Sequence, residues 1–277
     1  MKPTPSPKSE TGPTEELCLR VSVAVLVRIL LNDPETNDQL LVLERKATFD
    51  SNEEQVTVIT QPFGGGLRIN NPDALHELTG DFRYDSENSR IHQDFRIMIQ
   101  PSRWDAMKAF CLDQFRSRSN ATIELSPERE LAEEFKSALN IDLKPEQYHL
   151  RPLWTIIESN LASSGNIYAA GISTVRLYQV FEANIVDNIL RTDILQNSRS
   201  YSDQALRAAV MEDVQRGGIG WANAFLTTPL QKLRSFYQSL TPEDRNFPVT
   251  FRGSRLESNT PALLEDVKIP KFLRIDQ

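Results

Sequence analysis

Three apolar runs near the start of the chain, separated by turn residues, limit most strongly what it can fold into. The run from Leu17 to Leu31 is rich in valine, isoleucine and leucine, and NDPETND separates it from QLLVLERK. Aliphatic and β-branched residues favour strands, and Asn, Asp and Pro favour turns, so the sequence predicts a β-hairpin or meander here. The third run, QVTVIT, alternates as a strand does and stops at Pro62 and three glycines, Gly64, Gly65 and Gly66. Because glycine tolerates φ > 0, we expect a tight turn that a ligand can approach.

Residues 67–125 show mixed patterns and are interpreted as an insertion. They combine a possible short helix over 72–78, a hairpin of FRYD with DFRIMI, and a helix in PSRWDAMKAFCLDQF. The next segment predicts a helix over 127–139, with Ser126 as its N-cap, Pro127 in its first turn and Asn140 as a left-handed stop.

Further along the chain, strand and helix patterns alternate again. HLRPLWTIIES and TVRLYQVFEANIV predict two strands, and a helix over 202–213 is expected to end at Gly217 and Gly218. From Thr241 onward the apolar spacing is typical of a tail that wraps the domain and contains one short helix. The order of elements therefore indicates a mixed α/β fold.

The net charge of the chain limits which classes of binding partner we expect. There are 31 Lys and Arg residues against 38 Asp and Glu residues, a formal net charge of −7. This field repels nucleic acid and anionic membrane surfaces, so we expect neither as a main partner. A small phosphorylated molecule remains a candidate ligand if a divalent cation neutralises it.

Three further features bear on the cellular compartment of the protein. Residues 1–16 are polar and rich in proline, without the apolar core of a signal peptide, and are expected to be a disordered leader. Only two cysteines, Cys18 and Cys111, are present, and their apolar neighbours are typical of small buried side chains. The run from Val21 to Leu31 is too short to span a bilayer. We therefore expect a reduced, cytoplasmic protein.

The string Arg129-Glu130-Leu131-Ala132-Glu133-Glu134 is the best candidate for a functional site. Positions i, i+3 and i+4 share a helix face, so three carboxylates point toward one region. Each like-charge pair costs about 0.2–0.5 kcal/mol in an isolated helix, and Mg²⁺ or Mn²⁺ would remove that cost. The alternative is a solvated acidic face, partly screened by Arg129 and Lys136.

RELAEE resembles the core of the Nudix box, Arg-Glu-apolar-x-Glu-Glu. The preceding segments VSVAVLVRILL, LLVLERK and QPFGGG occur in the order that this family shows. The resemblance implies metal ligands at Glu130, Glu133 and Glu134, with Arg129 orienting Glu130. It also implies metal-dependent hydrolysis of a nucleoside diphosphate linked to another group.

The resemblance implies an α/β/α sandwich around a mixed sheet. On this interpretation residues 17–240 form the Nudix-like domain, interrupted by the insertion at 67–125. Residues 241–277 form a C-terminal extension packed on that domain, and a homodimer is left open.

The chain departs from the family pattern in ways that leave two registers open. Ala121 stands where the box has a glutamate, and the insertion separates the glycine turn from the helix. In a second register, SPERELAEEFKSALNI matches a typical box helix at both ends. Glu134 then takes the first glutamate position, and Ser137 and Ala138 replace the other two ligands. That register predicts a catalytically inactive domain that binds a nucleotide or a protein partner.

Other candidate residues carry weaker signals. The turn of Gly64, Gly65 and Gly66 would let a phosphate approach backbone N–H groups, although a plain loop turn is the commoner use of such a run. The segment QRGGIGWANAF is either a second ligand loop or a helix end followed by a buried Trp221. The histidines, His76, His92 and His149, are isolated and predict no metal site. A general base is not assigned among Glu158, Glu182 and Asp187.

Overall fold

A computed structural model describes residues 18–158 and 171–276. The predicted leader over 1–16 lies outside the described residues. Within the described ranges, every helix is too short or too polar to cross a membrane.

The centre of the fold is a mixed sheet in which β1 is the most extensively paired strand. β1 runs parallel to β7 from Leu19 to Leu30, and the end of β1 pairs antiparallel with β2, as in Ile29 with Val42. This second pairing confirms the predicted N-terminal hairpin. The strands of the described residues are β1 (Leu19–Asn32), β2 (Gln39–Asp50), β3 (Gln55–Gln61), β4 (Arg83–Tyr84), β5 (Arg96–Ile99), β6 (Tyr148–Glu158), β7 (Ser173–Ile185), β8 (Trp221–Pro229), β9 (Val249–Phe251), β10 (Ser254–Leu256) and β11 (Phe272–Asp276).

The glycine turn lies in the middle of this sheet. After β3 the chain continues beside β1, where the Val25 N–H donates to the Gly65 carbonyl at 3.0 Å and the Val27 N–H donates to the Phe63 carbonyl at 2.8 Å. The turn is therefore fixed by backbone hydrogen bonds to the central strand.

Helices cover both faces, which confirms the predicted α/β/α arrangement. Alternate residues of β1 point to opposite faces. Val27 and Ile29 pack in one core cluster with residues of α4 and α5, and Leu26 packs in another with residues of α7 and the C-terminal segment. The helices are α1 (Pro72–Thr79), α2 (Glu87–His92), α3 (Trp104–Ser117), α4 (Glu128–Leu139), α5 (Asn188–Ser200), α6 (Asp203–Gln215) and α7 (Leu230–Ser239).

The two ends of residues 67–125 meet beside the sheet, and the segment also adds β5 to the sheet, paired with β1 at Leu19 to Ser22. The Asn70 N–H donates to the Thr122 carbonyl and the Glu124 N–H donates to the Arg68 carbonyl, both at 2.8 Å. Between these points lie α1 to α3 and the predicted hairpin, which is confirmed as β4 with β5. Since its two ends meet, the segment delivers α4 to the sheet directly beside the glycine turn.

The C-terminal residues bind to two distant parts of the sheet. β10 pairs with β3, and β11 pairs with β6 over Phe272 to Asp276. Between them, Leu263 and Leu264 are buried in the core on the α7 side. The single short helix expected in this segment is wrong: it consists of strands and two one-turn 3₁₀ segments, because backbone pairing with strand edges satisfies its N–H and C=O groups.

Several local expectations were incomplete or wrong. The helix over 202–213 is confirmed as α6, but α5 and α7 were not predicted, because polar residues interrupt their apolar spacing. Buried Leu190 and Ile194 of α5 are one turn apart and contact the core below α4. Cys111 is buried as expected, whereas Cys18 is exposed, since it precedes β1 and lies outside the sheet.

Candidate active site

The helix α4 is held by aromatic packing beneath the glycine turn. Phe135 is fully buried, with ring centroids 5.9 Å from Phe63 and 5.1 Å from Phe225. Leu131, one turn earlier, is buried in the same cluster. Glu130 and Glu134 come directly before Leu131 and Phe135 in the helix. Their side chains therefore lie at the edge of the core and point toward the turn.

The two ends of α4 agree with the sequence to within one residue. Asn140 takes the left-handed conformation, which confirms the predicted stop. The helix begins at Glu128, with Pro127 at the cap position and not Ser126. The Ser126 hydroxyl still accepts a hydrogen bond from the Glu128 N–H at 3.2 Å.

A pocket of about 600 Å³ opens between α4, the glycine turn, β2 and the start of β8. This volume is within the range of small-molecule sites. It is lined by Glu44, Lys46, Gln61, Gly64, Gly65, Gly66, Arg68, His92, Asp94, Arg96, Arg129, Glu130, Glu133, Glu134, Ser137, Trp221 and Asn223. The structure therefore brings all seven residues that the sequence singled out, the four in the helix and the three glycines, to one pocket.

Glu134 lies deepest among the helix carboxylates. The Gly64 N–H donates to both of its oxygens at 3.1 Å. Burial raises the pKa of Glu134 well above its ordinary value, and the nearby charges of Glu44 and Glu130 raise it further, against the opposing effects of the Gly64 N–H and Lys46. The metal-free pocket therefore favours a proton on this group.

Glu130 sits against the next residue of the turn. Its side chain is only 14% exposed, and its Oε1 lies 2.7 Å from Nη1 of Arg129. Burial raises the pKa of Glu130, partly offset by the charge of Arg129. The Glu130 carboxyl is so close to Gly65 that a Cβ at Gly65 would lie 2.0 Å from Glu130 Oε2.

Arg129 connects the acidic helix to the turn and to the end of the insertion. Its Nε donates to Glu124 at 2.9 Å and its Nη2 donates to the Gly66 carbonyl at 3.3 Å. Glu133 accepts from Nη1 at 3.3 Å, but its side chain is 62% exposed at the mouth of the pocket. Glu133 therefore does not face the turn as Glu130 and Glu134 do.

Glu44 is a site residue that the sequence reasoning missed. It lies fully buried in β2 and accepts hydrogen bonds from Gln61 Nε2 at 2.7 Å and from Asn223 Nδ2 at 2.6 Å. Lys46 Nζ is 3.5 Å from the same carboxyl. A glutamate that ends the apolar run LLVL was the available signal, since buried carboxylates are rare without a functional or paired role.

The chemistry of this pocket fits a hard divalent cation. Glu44, Glu130 and Glu134 supply carboxylate oxygens, the ligands that Mg²⁺ and Mn²⁺ prefer. Burial and, after it, the charges of Glu44 and Glu130 raise the pKa of Glu134, and such a cation would offset both effects. In the metal-free arrangement, no three acidic, His or Cys side chains of the described residues are already gathered as a ligand group. Glu130 instead forms an ion pair with Arg129, and Glu134 accepts a hydrogen bond from the Gly64 N–H.

The geometry combines features of both sequence registers. Glu130 and Glu134 face the glycine turn, as the first register predicts, but Glu133, which that register also directs to the turn, is exposed at the pocket mouth. Asn140 ends the helix in the position where the second register has the family's glycine, and Ser137, which that register puts at a ligand position, lines the pocket and binds Asn223 through its hydroxyl at 2.9 Å.

Of the remaining candidate residues from the sequence, some lie outside the pocket and others line it. Glu158 is paired with Arg176 and Lys271, Glu182 with Arg28 and Arg151, and Asp187 caps α5. None of these three acids lines the pocket. His92 does line it. Trp221, which one of the two alternatives for QRGGIGWANAF placed in the core, is exposed at the pocket rim.

Comparison with known families is consistent with this geometry. The sequence model described as the SMODS-associated NUDIX domain matches residues 18–228. No curated protein and no solved structure matches the chain. The matched range begins at β1, includes the glycine turn and α4, and ends within β8.

Proposed function

The chain belongs to the family of SMODS-associated NUDIX domains, and from this premise we propose that its acidic pocket hydrolyses the diphosphate bond of a nucleoside diphosphate linked to another group. The observation that carries the proposal is the meeting of Glu44, Glu130 and Glu134 beside the glycine turn. These side chains lie in one pocket, where acidic side chains outnumber those of Lys and Arg. An acidic pocket of this kind accepts a phosphorylated ligand only together with a cation.

The residues of the pocket have separable roles in this proposal. Glu130 and Glu134 would hold Mg²⁺ or Mn²⁺, with Glu44 at the base and Glu133 at the mouth. When bound, such a cation neutralises charge on the phosphate oxygens and lowers the pKa of water. Arg129 orients Glu130 through its contact at 2.7 Å.

Three basic side chains, the basic wall of the pocket, would bind the phosphates. Lys46, Arg68 and Arg96 line the pocket, and guanidinium groups match phosphate oxygens in geometry and charge. Arg96 is positioned by Asp94, 3.3 Å from its Nη1. These residues would hold the leaving side of the diphosphate while the acidic helix faces the bond to be cleaved.

A second candidate function is nucleotide binding without hydrolysis. It is favoured by the end of α4, where Asn140 and Ser137 match the register that lacks two metal ligands. On this alternative the glycine turn and the basic wall bind the ligand, and Glu130 contributes little.

A hydrolysis screen separates the two candidates. Dinucleotide and nucleotide-sugar diphosphates are incubated with the full chain and Mg²⁺ or Mn²⁺, and product release is measured. We expect turnover that requires the cation and falls on the order of a hundredfold in Glu130→Gln. Glu35→Gln, at a surface carboxyl 73% exposed and outside the pocket, is the matched control and should retain full turnover. Nucleotide binding without turnover in the wild type, unaffected by Glu130→Gln, would favour the second candidate.

A further inference from the structure

Trp221 occupies the outer end of a row of side chains that begins in the core. Successive inward-facing residues of β8 are Phe225, Asn223 and Trp221, since side chains two apart in a strand share a face. Phe225 is fully buried against α4 and Asn223 binds Glu44 in the pocket. Trp221 continues the row to the pocket rim, where it is 39% exposed.

The backbone that carries Trp221 is held in place on both sides. Asp213, near the end of α6, accepts a hydrogen bond from the Gly220 N–H at 2.9 Å, and its carbonyl accepts from the Gly218 N–H at 2.9 Å. The Gly220 carbonyl accepts from the Phe49 N–H at 2.8 Å. Trp221 itself pairs with Thr48 of β2. The indole is thus presented by a fixed strand end, as a preorganised binding surface requires.

Among the described residues, its ring differs from those of the other two tryptophans in its lack of a cation, aromatic ring or hydrogen-bond acceptor as a partner. Lys108 lies over Trp104 at 5.9 Å, and Arg28 and Arg274 lie over Trp154, which also donates to the Ala262 carbonyl. Within residues 18–158 and 171–276, Trp221 has no such cation, aromatic ring or hydrogen-bond acceptor on its indole. An exposed indole at the mouth of a polar pocket is a feature of ligand sites, because its flat face binds planar groups.

We propose that Trp221 is the stacking surface for the nucleobase of the ligand, whose diphosphate lies between the acidic helix and the basic wall. This inference rests on the proposed function and specifies where the nucleoside binds. The pocket is otherwise lined mainly by charged and polar side chains, so the indole offers the aromatic surface that a purine or pyrimidine ring requires. Stacking on an aromatic ring tolerates different bases, because every base has a π face.

The test compares a ligand that has a base with one that lacks it. Binding of ADP and of inorganic pyrophosphate to the full chain is measured by calorimetry with Mg²⁺ present. Trp221→Ala should weaken ADP binding about tenfold, the loss of one base–aromatic contact, and leave pyrophosphate binding unchanged. Trp221→Phe should retain most of the ADP affinity. Trp104→Phe, at an indole outside the pocket, is the matched control and should bind both probes as the wild type does.

Fluorescence gives a second, independent measurement. ADP should quench wild-type emission and that of Trp104→Phe, and should quench Trp221→Phe much less. If Trp221→Ala and Trp221→Phe bind ADP as the wild type does, the stacking proposal is overturned while pyrophosphate binding and hydrolysis stand. If instead Glu130→Gln and Glu134→Gln leave pyrophosphate binding and turnover unchanged, the proposed function fails, whereas a selective loss of ADP in Trp221→Ala would still support stacking.

Discussion

Gly64, Gly65 and Gly66 each lie against a different neighbour, although the sequence gives no reason to assign them different roles. A Cβ at Gly64 would lie 2.1 Å from the Val25 carbonyl oxygen, and Gly64 also has φ of +131°. A Cβ at Gly65 would lie nearest to the Glu130 carboxyl, and one at Gly66 would lie nearest to Arg96, at 3.4 Å. The sequence could predict a glycine turn, but the three roles depend on which strand and helix pack against it.

Gly65→Ala is therefore expected to leave the fold intact and to displace Glu130. The side-chain end of Glu130 can move, whereas backbone cannot, so we expect a small change in melting temperature. Metal affinity and turnover should fall at least about tenfold because a ligand leaves its position. Gly66→Ala is the matched control and should keep the wild-type melting temperature and metal affinity, while Gly64→Ala should destabilise the protein. Equal behaviour of Gly65→Ala and Gly66→Ala would show that Glu130 has no role at the turn.

The raised pKa of Glu134 gives a pH-dependent prediction for the metal-free protein. Its ordinary value is 4.5, and burial with Glu44 of β2 and Glu130 of α4 nearby raises it, against Lys46 of β2 and the Gly64 N–H. The stability associated with the proton on Glu134 is present below about pH 4.5 and is lost as the pH rises through the folded-state pKa. Glu134→Gln lacks this loss and keeps an oxygen that accepts from Gly64.

Urea unfolding in EDTA measures that effect. The free energy of unfolding of Glu134→Gln, relative to the wild type, should increase from pH 4.5 to pH 8. A difference that is the same at every pH would mean that the Glu134 carboxyl ionises in the folded protein as readily as in water.

Among the helices and strands, α4 shows which structural features local sequence patterns can predict. Its extent and its stop at Asn140 were predictable, because caps and turn-forming residues act locally. Which carboxylates face the pocket was not predictable, since this depends on the packing of Leu131 and Phe135 against Phe63 and Phe225. Those two partners come from the glycine turn and from β8, far away in the chain.

If this aromatic cluster sets the rotation of α4, Phe135→Ala should affect both stability and the site. Removing a fully buried phenylalanine should lower the free energy of unfolding by about 3–5 kcal/mol, measured in urea, and weaken metal binding. Phe247→Ala, at a side chain 61% exposed, should change the free energy by no more than about 0.5 kcal/mol. A destabilised Phe135→Ala protein with unchanged metal affinity would contradict the link between the cluster and the site.

For the whole molecule, the mixed sheet and the family resemblance were predictable and are confirmed, but the strand order was not. β1 pairs in parallel with β7, and the C-terminal strands pair with β3 and β6. Hydrophobic periodicity indicates that a segment is a strand without specifying its partner. For the same reason Glu44 escaped prediction as a site residue, and Asn223 and Trp221 were left open within QRGGIGWANAF, since only the pairing of β2 with β8 brings the three together.

The molecule as a whole and its pocket both have an excess of acidic side chains. The chain has a net charge of −7, and its pocket contains five acidic side chains against four of Lys and Arg. Neither the electrostatic field of the whole molecule nor that of the pocket attracts a phosphate unless a divalent cation is bound. The central claim is therefore that the glycine turn and α4 form a divalent-metal site.

Mn²⁺ binding, followed by electron paramagnetic resonance of the free ion, tests this claim most directly. We expect the wild type to bind Mn²⁺ at millimolar concentration or below, with affinity that falls about tenfold or more in Glu130→Gln and in Glu134→Gln. Glu35→Gln should bind as the wild type does. The account would be contradicted by a wild-type protein that binds no Mn²⁺ at millimolar levels, or by binding that survives the double substitution of Glu130 and Glu134 by glutamine.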